Sequence, residues 1–167
     1  AAVELFPFAD FELNEFASFL VENTIHIWLR VHPRFEQDID PALLACDNIH
    51  LFSAKEYSEV NSYLSYFDAL ITDYSSIYYD YLTLERPVLF FDYDFDKYNE
   101  VVGVIDDYEQ VKSTETTVSA GQFNQQLMSI NDGSFDLTRI REINKLANYP
   151  IANKDIAKVV LEKLKLN

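Results

Sequence analysis

Apolar and polar positions follow two different periods along the chain. In residues 11–22, large apolar residues recur at helical spacing with acidic residues between them, which predicts a helix. Residues 25–31 form a β-branched and aromatic run that ends before Pro33, which predicts a strand. By the same criteria we expect further strands at 48–52, 69–72 and 88–92. A short helix should begin at Asp40-Pro41, because proline suits the first position of a helix. We expect further helices at 58–67, 76–85, 119–130, 137–148 and 155–166. Residues 103–107 fit either an irregular strand or a loop.

The order of these elements indicates the fold class. Short, nearly continuous apolar strands alternate with helices, which is typical of a parallel sheet covered on both faces. No repeat, low-complexity tract or linker divides the sequence, so we expect residues 1–167 to form a single Rossmann-like α/β domain. The sequence opens on Ala1 without a methionine, and we expect it to be a fragment of a larger protein.

Composition excludes several classes of function. The three glycines, Gly103, Gly121 and Gly133, are too widely spaced for a Walker loop or a G-x-G-x-x-G turn. The single Cys46 excludes a disulfide framework and a cysteine-rich zinc site. No apolar run approaches the ~20 residues of a membrane span. The net charge of −15, concentrated before residue 111, argues against nucleic-acid binding.

The predicted strand ends are the place to look for a ligand site, because open parallel sheets bind ligands at the carboxyl ends of their strands. Ser75 and Ser76 stand between a predicted strand and a helix, where backbone N–H groups and hydroxyls suit a phosphate. Asp80, one turn later, would repel a phosphate but could accept hydrogen bonds from a sugar hydroxyl. The alternative is that one serine is an ordinary N-cap and Asp80 a solvated helix residue.

A second group follows the strand at 25–31. His32 precedes a proline, which favours an extended backbone, and its imidazole suits proton transfer or phosphate contact near neutral pH. Arg30 and Arg34 flank it and could neutralise a pyrophosphate. The alternatives are a structural histidine bonded to a carbonyl, and arginines paired with the many nearby acids.

The acidic run at 92–96 invites comparison with metal sites. An EF-hand loop starting at Asp92 would need glycine at Lys97 and glutamate at Gly103, so that motif is absent. Asp92-x-Asp94 resembles the metal motif of some nucleotide-sugar transferases, but acids separated by aromatic residues after a strand are more often a turn. We therefore expect neither a metal nor a cofactor.

A long stretch of the sequence resembles a known enzyme family. Residues 68–92, DALITDYSSIYYDYLTLERPVLFFD, resemble the pattern D-x-L-I-T-D-Y-S-S-x-x-F-D-Y…R-P-x-x-F of the CDP-glycerol glycerophosphotransferases, the teichoic-acid polymerases and primases. The sequence at 93–98 and the R-V-H-P element at 30–33 are similar to the same family in order and separation. The likeness extends over residues 25–105.

The resemblance implies a fold and an activity. It implies the C-terminal, donor-binding half of a two-domain GT-B enzyme that transfers glycerol phosphate, or a related polyol phosphate, from a CDP-linked donor to a cell-envelope polymer. It places His32 at the catalytic cleft, Thr72, Ser75 and Ser76 at the pyrophosphate, and Asp80 near the nucleotide sugar. The implied partners are the donor, a polymer acceptor and the N-terminal half of the same enzyme. The implied location is the cytoplasm, peripheral at the inner face of the cell membrane.

The sequence also departs from the family. The His-Gly element that precedes the family's C-terminal domain is absent, and a late D-G-x-A-S-x-R pattern is replaced by residues 152–158, with Lys158 in place of arginine. These departures keep two alternatives open: a nucleotide-binding module without activity of its own, and a GT-B glycosyltransferase for capsule polysaccharide that uses a nucleotide sugar. They also lead us to expect that this chain alone is incomplete for catalysis.

Overall fold

A computed structural model describes residues 4–101 and 112–148. Within these residues lie four short strands, β1 (Ile27–Leu29), β2 (Ile49–Leu51), β3 (Leu70–Thr72) and β4 (Val88–Phe90). The helices are α1 (Leu13–Glu22), α2 (Pro41–Leu44), α3 (Ile77–Leu82), α4 (Phe95–Val101), α5 (Ala120–Asn131) and α6 (Thr138–Asn148). Three 3₁₀ segments lie at Pro33–Asp38, Val60–Ser62 and Leu64–Tyr66.

The strands form two parallel pairs. Strand β1 pairs with β2, with Trp28 opposite His50, and β3 pairs with β4, with Ile71 opposite Leu89. A single parallel bridge from Phe90 to Thr116 extends the second pair. The predicted strands and their parallel direction are confirmed. Backbone hydrogen bonds join the strands within each pair, and none joins β1 to β3.

Aromatic packing builds one of the two core clusters. Phe123 of α5 lies against Phe16 of α1 at 5.5 Å and against Phe91 at 5.0 Å between ring centroids. Phe8 meets Phe91 edge-on at 5.0 Å. Edge-to-face pairs at these distances are the favoured geometry of aromatic rings. The many phenylalanines therefore tie the N-terminal segment, α1 and α5 to the end of β4.

The second cluster lies around β3 and β4. Val88 and Phe90 pack against Tyr81 and Leu82 of α3 and Ile140 of α6, all almost fully buried. Helices thus cover both strand pairs. No helix in residues 4–101 and 112–148 has the length and apolar character needed to cross a membrane.

The sequence correctly predicts where the helices α2 and α5 begin. The carboxylate of Asp40 accepts a hydrogen bond from the Ala42 N–H at 2.9 Å and caps α2. The Ser119 hydroxyl accepts one from the Gln122 N–H at 3.1 Å and caps α5. These are the expected bonds of N-cap residues.

The helix predicted at 58–67 is wrong. That segment holds the two 3₁₀ segments Val60–Ser62 and Leu64–Tyr66. Arg86 donates from Nη1 to the carbonyls of Ser65 at 2.8 Å and Phe67 at 2.6 Å. A distant arginine thus satisfies backbone acceptors that a helix would use itself, and the aromatic residues of the segment have only modest helix propensity. Helix α4 was not predicted, and the predictions at 103–107 and 155–166 lie outside the described residues.

Candidate functional site

A cleft of about 1530 Å³ lies between β1 and β3, and its lining includes residues that follow the carboxyl ends of both strands. Six of the seven residues selected from the sequence line it: Arg30, His32, Thr72, Ser75, Ser76 and Asp80. They come from two separate parts of the chain that β1 and β3 bring to the same edge. Arg34 is not among the lining residues.

His32 stands at the mouth of the cleft, at the start of the 3₁₀ segment Pro33–Asp38. Its side chain is exposed, and Nδ1 accepts a hydrogen bond from the Arg34 N–H at 3.3 Å. A neutral imidazole that accepts at Nδ1 carries its proton on Nε2. His32 can therefore offer an N–H donor to a phosphate oxygen.

The two arginines beside His32 are held in different ways. Arg30 donates from Nη1 to the Tyr57 carbonyl at 2.8 Å and the Phe52 carbonyl at 3.4 Å, and its guanidinium carbon lies 5.2 Å from the centre of the Phe52 ring. These contacts fix it against the loop after β2 and leave its other N–H groups for a ligand. The guanidinium of Arg34 lies 4.4 Å over the Phe35 ring instead.

The segment between β3 and α3 supplies three hydroxyl groups. Thr72 is buried at the end of β3, and its carbonyl accepts from the Phe91 N–H at 2.8 Å. The Ser75 hydroxyl accepts from the Ile77 N–H at 3.5 Å, and the Ser76 side chain makes no capping bond. Both serines are exposed and line the cleft, so their hydroxyls are accessible to a ligand there. Helix α3 spans only six residues, and the two serines directly precede its first turn.

Asp80 lies one turn into α3 and has a partner that sequence reasoning missed. Its Oδ2 accepts from Asn61 Nδ2 at 3.2 Å, and both residues line the cleft. Asn61 belongs to the 3₁₀ segment after β2, nineteen residues away, so no local pattern marked it. Together the two side chains offer a donor and an acceptor for a hydroxyl-bearing ligand.

The acidic run after β4 is bonded within the protein. Asp94 Oδ1 accepts from the Tyr74 hydroxyl at 2.8 Å, and burial together with this bond raises the pKa of Tyr74. Asp92 is buried and pairs with Lys112, Oδ2 to Nζ, at 2.6 Å. Within the described residues, no cluster of three histidine, cysteine or acidic side chains is arranged to hold a metal ion.

Comparison with known families identifies this arrangement with one of them. Residues 2–162 match the family model described as CDP-Glycerol:Poly(glycerophosphate) glycerophosphotransferase. The match spans nearly the whole sequence, including both strand ends that line the cleft.

Individual relatives are similar over part of the chain. A teichoic acid poly(ribitol-phosphate) polymerase of Bacillus spizizenii is 32% identical over 93 residues, which is 56% of this chain and 14% of the relative. A teichoic acid glycerol-phosphate primase of the same organism is 30% identical over 96 residues, 58% of this chain and 25% of the relative. A teichoic acid poly(glycerol phosphate) polymerase of Staphylococcus epidermidis is 39% identical over 74 residues, 44% of this chain and 10% of the relative. The matched region is thus a quarter or less of each of these relatives.

Solved structures agree on the fold. The wall teichoic acid polymerase TagF superposes with a TM-score of 0.62 at 23% identity, covering 92% of this chain and 38% of that one. A histidine-to-asparagine variant of TagF soaked with CDPG superposes with a TM-score of 0.63 at 23% identity, covering 99% and 40%. The expected α/β, GT-B type fold is confirmed.

Proposed function

The chain belongs to the CDP-glycerol:poly(glycerophosphate) glycerophosphotransferase family, and on that premise we propose that it is the donor-binding domain of a polyol-phosphate transferase. The donor is CDP-glycerol, and the acceptor is a hydroxyl of a growing cell-envelope polymer such as teichoic acid. The observation that carries the proposal is the meeting of six sequence-selected residues in one cleft at the carboxyl edge of the strands.

The reaction is a phosphoryl transfer. The acceptor oxygen attacks the phosphorus that bears the glycerol and forms a phosphodiester bond. The P–O bond to the CMP phosphate breaks, CMP leaves with the bonding electrons, and the acceptor's proton passes to a base. Such reactions depend mainly on positioning and on stabilisation of charge at the phosphates.

The cleft residues divide into two roles. The Nε2–H of His32, the remaining N–H groups of Arg30 and the hydroxyls of Ser75 and Ser76 donate to the donor's phosphates. Asp80, with Asn61 beside it, accepts from a hydroxyl of the polyol or the ribose. Thr72, buried at the strand end, bounds the floor of the phosphate site.

A binding module without its own activity is the second candidate. The chain spans a quarter or less of the relatives named above, and it lacks the His-Gly element. We therefore propose that catalysis needs a further part of the enzyme, and that this domain alone binds the donor. We propose that the enzyme acts in the cytoplasm, at the inner face of the membrane where the polymer grows.

Ligand-dependent melting tests the proposal directly. A ligand at one hundred times its Kd stabilises the folded state by about 2.7 kcal/mol, or roughly 5–10 °C for a domain of this size. We expect this shift with CDP-glycerol and a smaller one with CMP, and backbone amide signals around residues 73–80 should move. Equal shifts with CDP-ribitol would show that the domain does not distinguish glycerol from ribitol. A shift with UDP-sugars alone would overturn the proposal in favour of a glycosyltransferase.

A pair of serine variants provides the matched control. Ser75→Ala should reduce the CDP-glycerol shift, because the variant loses a hydroxyl in the cleft. Ser18→Ala removes an exposed hydroxyl on α1 that donates only to the Asn14 carbonyl at 2.9 Å, and it should leave the shift unchanged. The assigned role of Ser75 would be wrong if both variants bind the donor like the parent chain.

A further inference from the structure

His32 stands between two charged residues that both bind the loop after β2, residues 52–57. Arg30 comes two positions before it and donates from Nη1 to carbonyls at the two ends of this loop. Glu36 comes four positions after it, on the 3₁₀ segment Pro33–Asp38. The proposed roles of the cleft residues involve Arg30 and His32 but not Glu36.

Glu36 binds this loop with both of its carboxylate oxygens. Oε1 accepts from the Ala54 N–H at 2.8 Å, and Oε2 accepts from the Ser53 hydroxyl at 2.9 Å. The Ser53 oxygen in turn accepts from the Lys55 N–H at 3.2 Å. Glu36, Ser53 and Ala54 are all half-buried, and hydrogen bonds to an ionised carboxylate are stronger than those between neutral groups. The two bonds therefore join the 3₁₀ segment firmly to the loop.

The turn that carries His32 has only local support of its own. The His32 carbonyl accepts from the Phe35 N–H at 2.8 Å, and Nδ1 accepts from the Arg34 N–H at 3.3 Å. The His32 ring also meets the Phe35 ring edge-on, at 6.1 Å between centroids. No residue of Pro33–Asp38 is fully buried, and the hydrogen bonds of a 3₁₀ helix have poor geometry. The bonds of Glu36 to the loop thus add the support that such a turn lacks.

Glu36 acts from outside the cleft. His32, Phe35 and Ala54 line the cleft, whereas Glu36 is not among the lining residues. A carboxylate in contact with the donor would repel its phosphates, since like charges repel at short range. The position of Glu36 behind the turn avoids that repulsion and uses its charge to hold backbone and hydroxyl donors instead.

We propose that Glu36 is a positioning residue of the donor site. Its two bonds to the loop after β2 hold the His32 turn in the arrangement in which Nδ1 accepts from the Arg34 N–H and Nε2–H remains for a phosphate oxygen. Because Arg30 binds the same loop, the loop is a common support for both donors and fixes one relative to the other. The contact with phosphate rests on the donor-binding function proposed above, whereas the hold on His32 is a property of the chain alone.

Three variants separate positioning from general stability. Glu36→Ala removes both bonds to the loop. Glu36→Gln can keep both, because an amide oxygen can accept from the Ala54 N–H and an amide nitrogen can donate to the Ser53 oxygen. Asp38→Ala, at an exposed carboxylate of the same 3₁₀ segment, is the matched control. Calorimetry measures CDP-glycerol binding at a temperature where circular dichroism shows each variant folded, and NMR measures the ring contacts of His32 in the ligand-free chain.

The expected results concern affinity and ring contacts. Glu36→Ala should weaken CDP-glycerol binding by about tenfold or more, as expected for the loss of one hydrogen bond to a charged group, whereas Glu36→Gln and Asp38→Ala should bind within about twofold of the parent chain. In the ligand-free chain, the nuclear Overhauser effect between the rings of His32 and Phe35 should disappear in Glu36→Ala and persist in the other two variants. The ring signals of His26, at the start of β1, should not change, which shows that the strand is still folded.

Three outcomes would overturn the proposal. Equal donor binding by Glu36→Ala and the parent chain would show that the site does not depend on Glu36. A ring contact between His32 and Phe35 that persists in ligand-free Glu36→Ala would show that the turn holds itself. A Glu36→Gln protein as weak as Glu36→Ala would mean that the charge matters and the bonds do not. A parent chain that binds no CDP-glycerol would contradict the proposed function instead, and the ring contact in the ligand-free variants would still decide whether Glu36 holds His32.

Discussion

The buried ion pair between Asp92 and Lys112 makes the sharpest stability prediction. Asp92 follows β4 and is 3% exposed, and Lys112 is 9% exposed. Their charged atoms lie 2.6 Å apart, and Lys112 Nζ also donates to Thr116 Oγ1 at 2.6 Å. Neither oxygen of Asp92 has a further hydrogen-bond partner in the described part of the chain, so the charge that compensates the carboxylate there is that of Lys112. The change to test is Lys112→Met.

The expected loss of stability follows from the group that the variant leaves buried without its partner. Methionine keeps most of the packing over the Phe90 ring, which lies 5.6 Å from the ammonium, and removes the charge together with the hydrogen bond to Thr116. The carboxylate of Asp92 is then buried without a counter-ion, a situation that costs about 3–5 kcal/mol. Against a total stability of about 5–15 kcal/mol, that is a large part of the whole. The melting temperature should fall by roughly 6–20 °C.

Urea unfolding followed by circular dichroism measures this loss. Lys55→Met, at an exposed lysine, is the matched control and should change stability by less than about 0.5 kcal/mol. The double variant Lys112→Met with Asp92→Asn removes both charges and should recover part of the loss, with a coupling energy of about 1–3 kcal/mol. A Lys112→Met protein within about 1 kcal/mol of the parent chain would refute the reasoning, because the carboxylate would then have compensation that the geometry lacks.

Two further predictions concern pH and helix capping. Burial raises the pKa of Tyr81 to about 12, so the folded state holds this proton more tightly than the unfolded chain does. The free energy of unfolding should therefore fall by about 2–3 kcal/mol as the pH rises from 10 to 12. In urea titrations over this pH range, Tyr81→Phe should make that decline smaller. Asp10 accepts from the Ala120 N–H at 2.9 Å, which holds the pKa of its carboxyl below the usual range. Its contribution is present above about pH 4 and is lost as the pH falls through the lowered pKa. Asp10→Ala should therefore lower the melting temperature at pH 7, and its difference from the parent chain should shrink as the pH is lowered below 4. Asp47→Ala, at an exposed carboxylate, should leave the melting temperature unchanged.

Local sequence signals account for the parts of the fold that depend on neighbours in the chain. The strands, the cap of α2 at Asp40 and the cap of α5 at Ser119 were predictable because each is determined within a few residues. The 3₁₀ segments after β2 were not, because Arg86 sets them from about twenty residues away. The bond from Ala120 to Asp10 crosses 110 positions and has no local signature at all.

The candidate site likewise contains residues that local sequence patterns mark and residues that they do not. The positions of His32 and Ser75 in the lining of the cleft were predictable because each follows a strand that the sequence marks clearly. Asn61 was missed because its contact with Asp80 arises from the folded path of the segment after β2. Arg34, selected for its position beside His32, stacks over Phe35 instead of lining the cleft, a choice between rotamers that spacing along a sequence does not determine.

The charge of the cleft bears on how the proposed donor is held. Its described lining carries four carboxylates and two guanidinium groups, from Glu4, Asp68, Asp73 and Asp80 and from Arg30 and Arg86. Both guanidinium groups donate to backbone carbonyls, so part of their bonding capacity is already used. With its histidines neutral, the described lining thus carries a formal charge of −2, of the same sign as the net charge of −15. It follows for the proposed function that this domain recognises the donor through hydroxyl and N–H donors, and that the positive charge needed in the transition state comes from groups that face the cleft from another part of the enzyme.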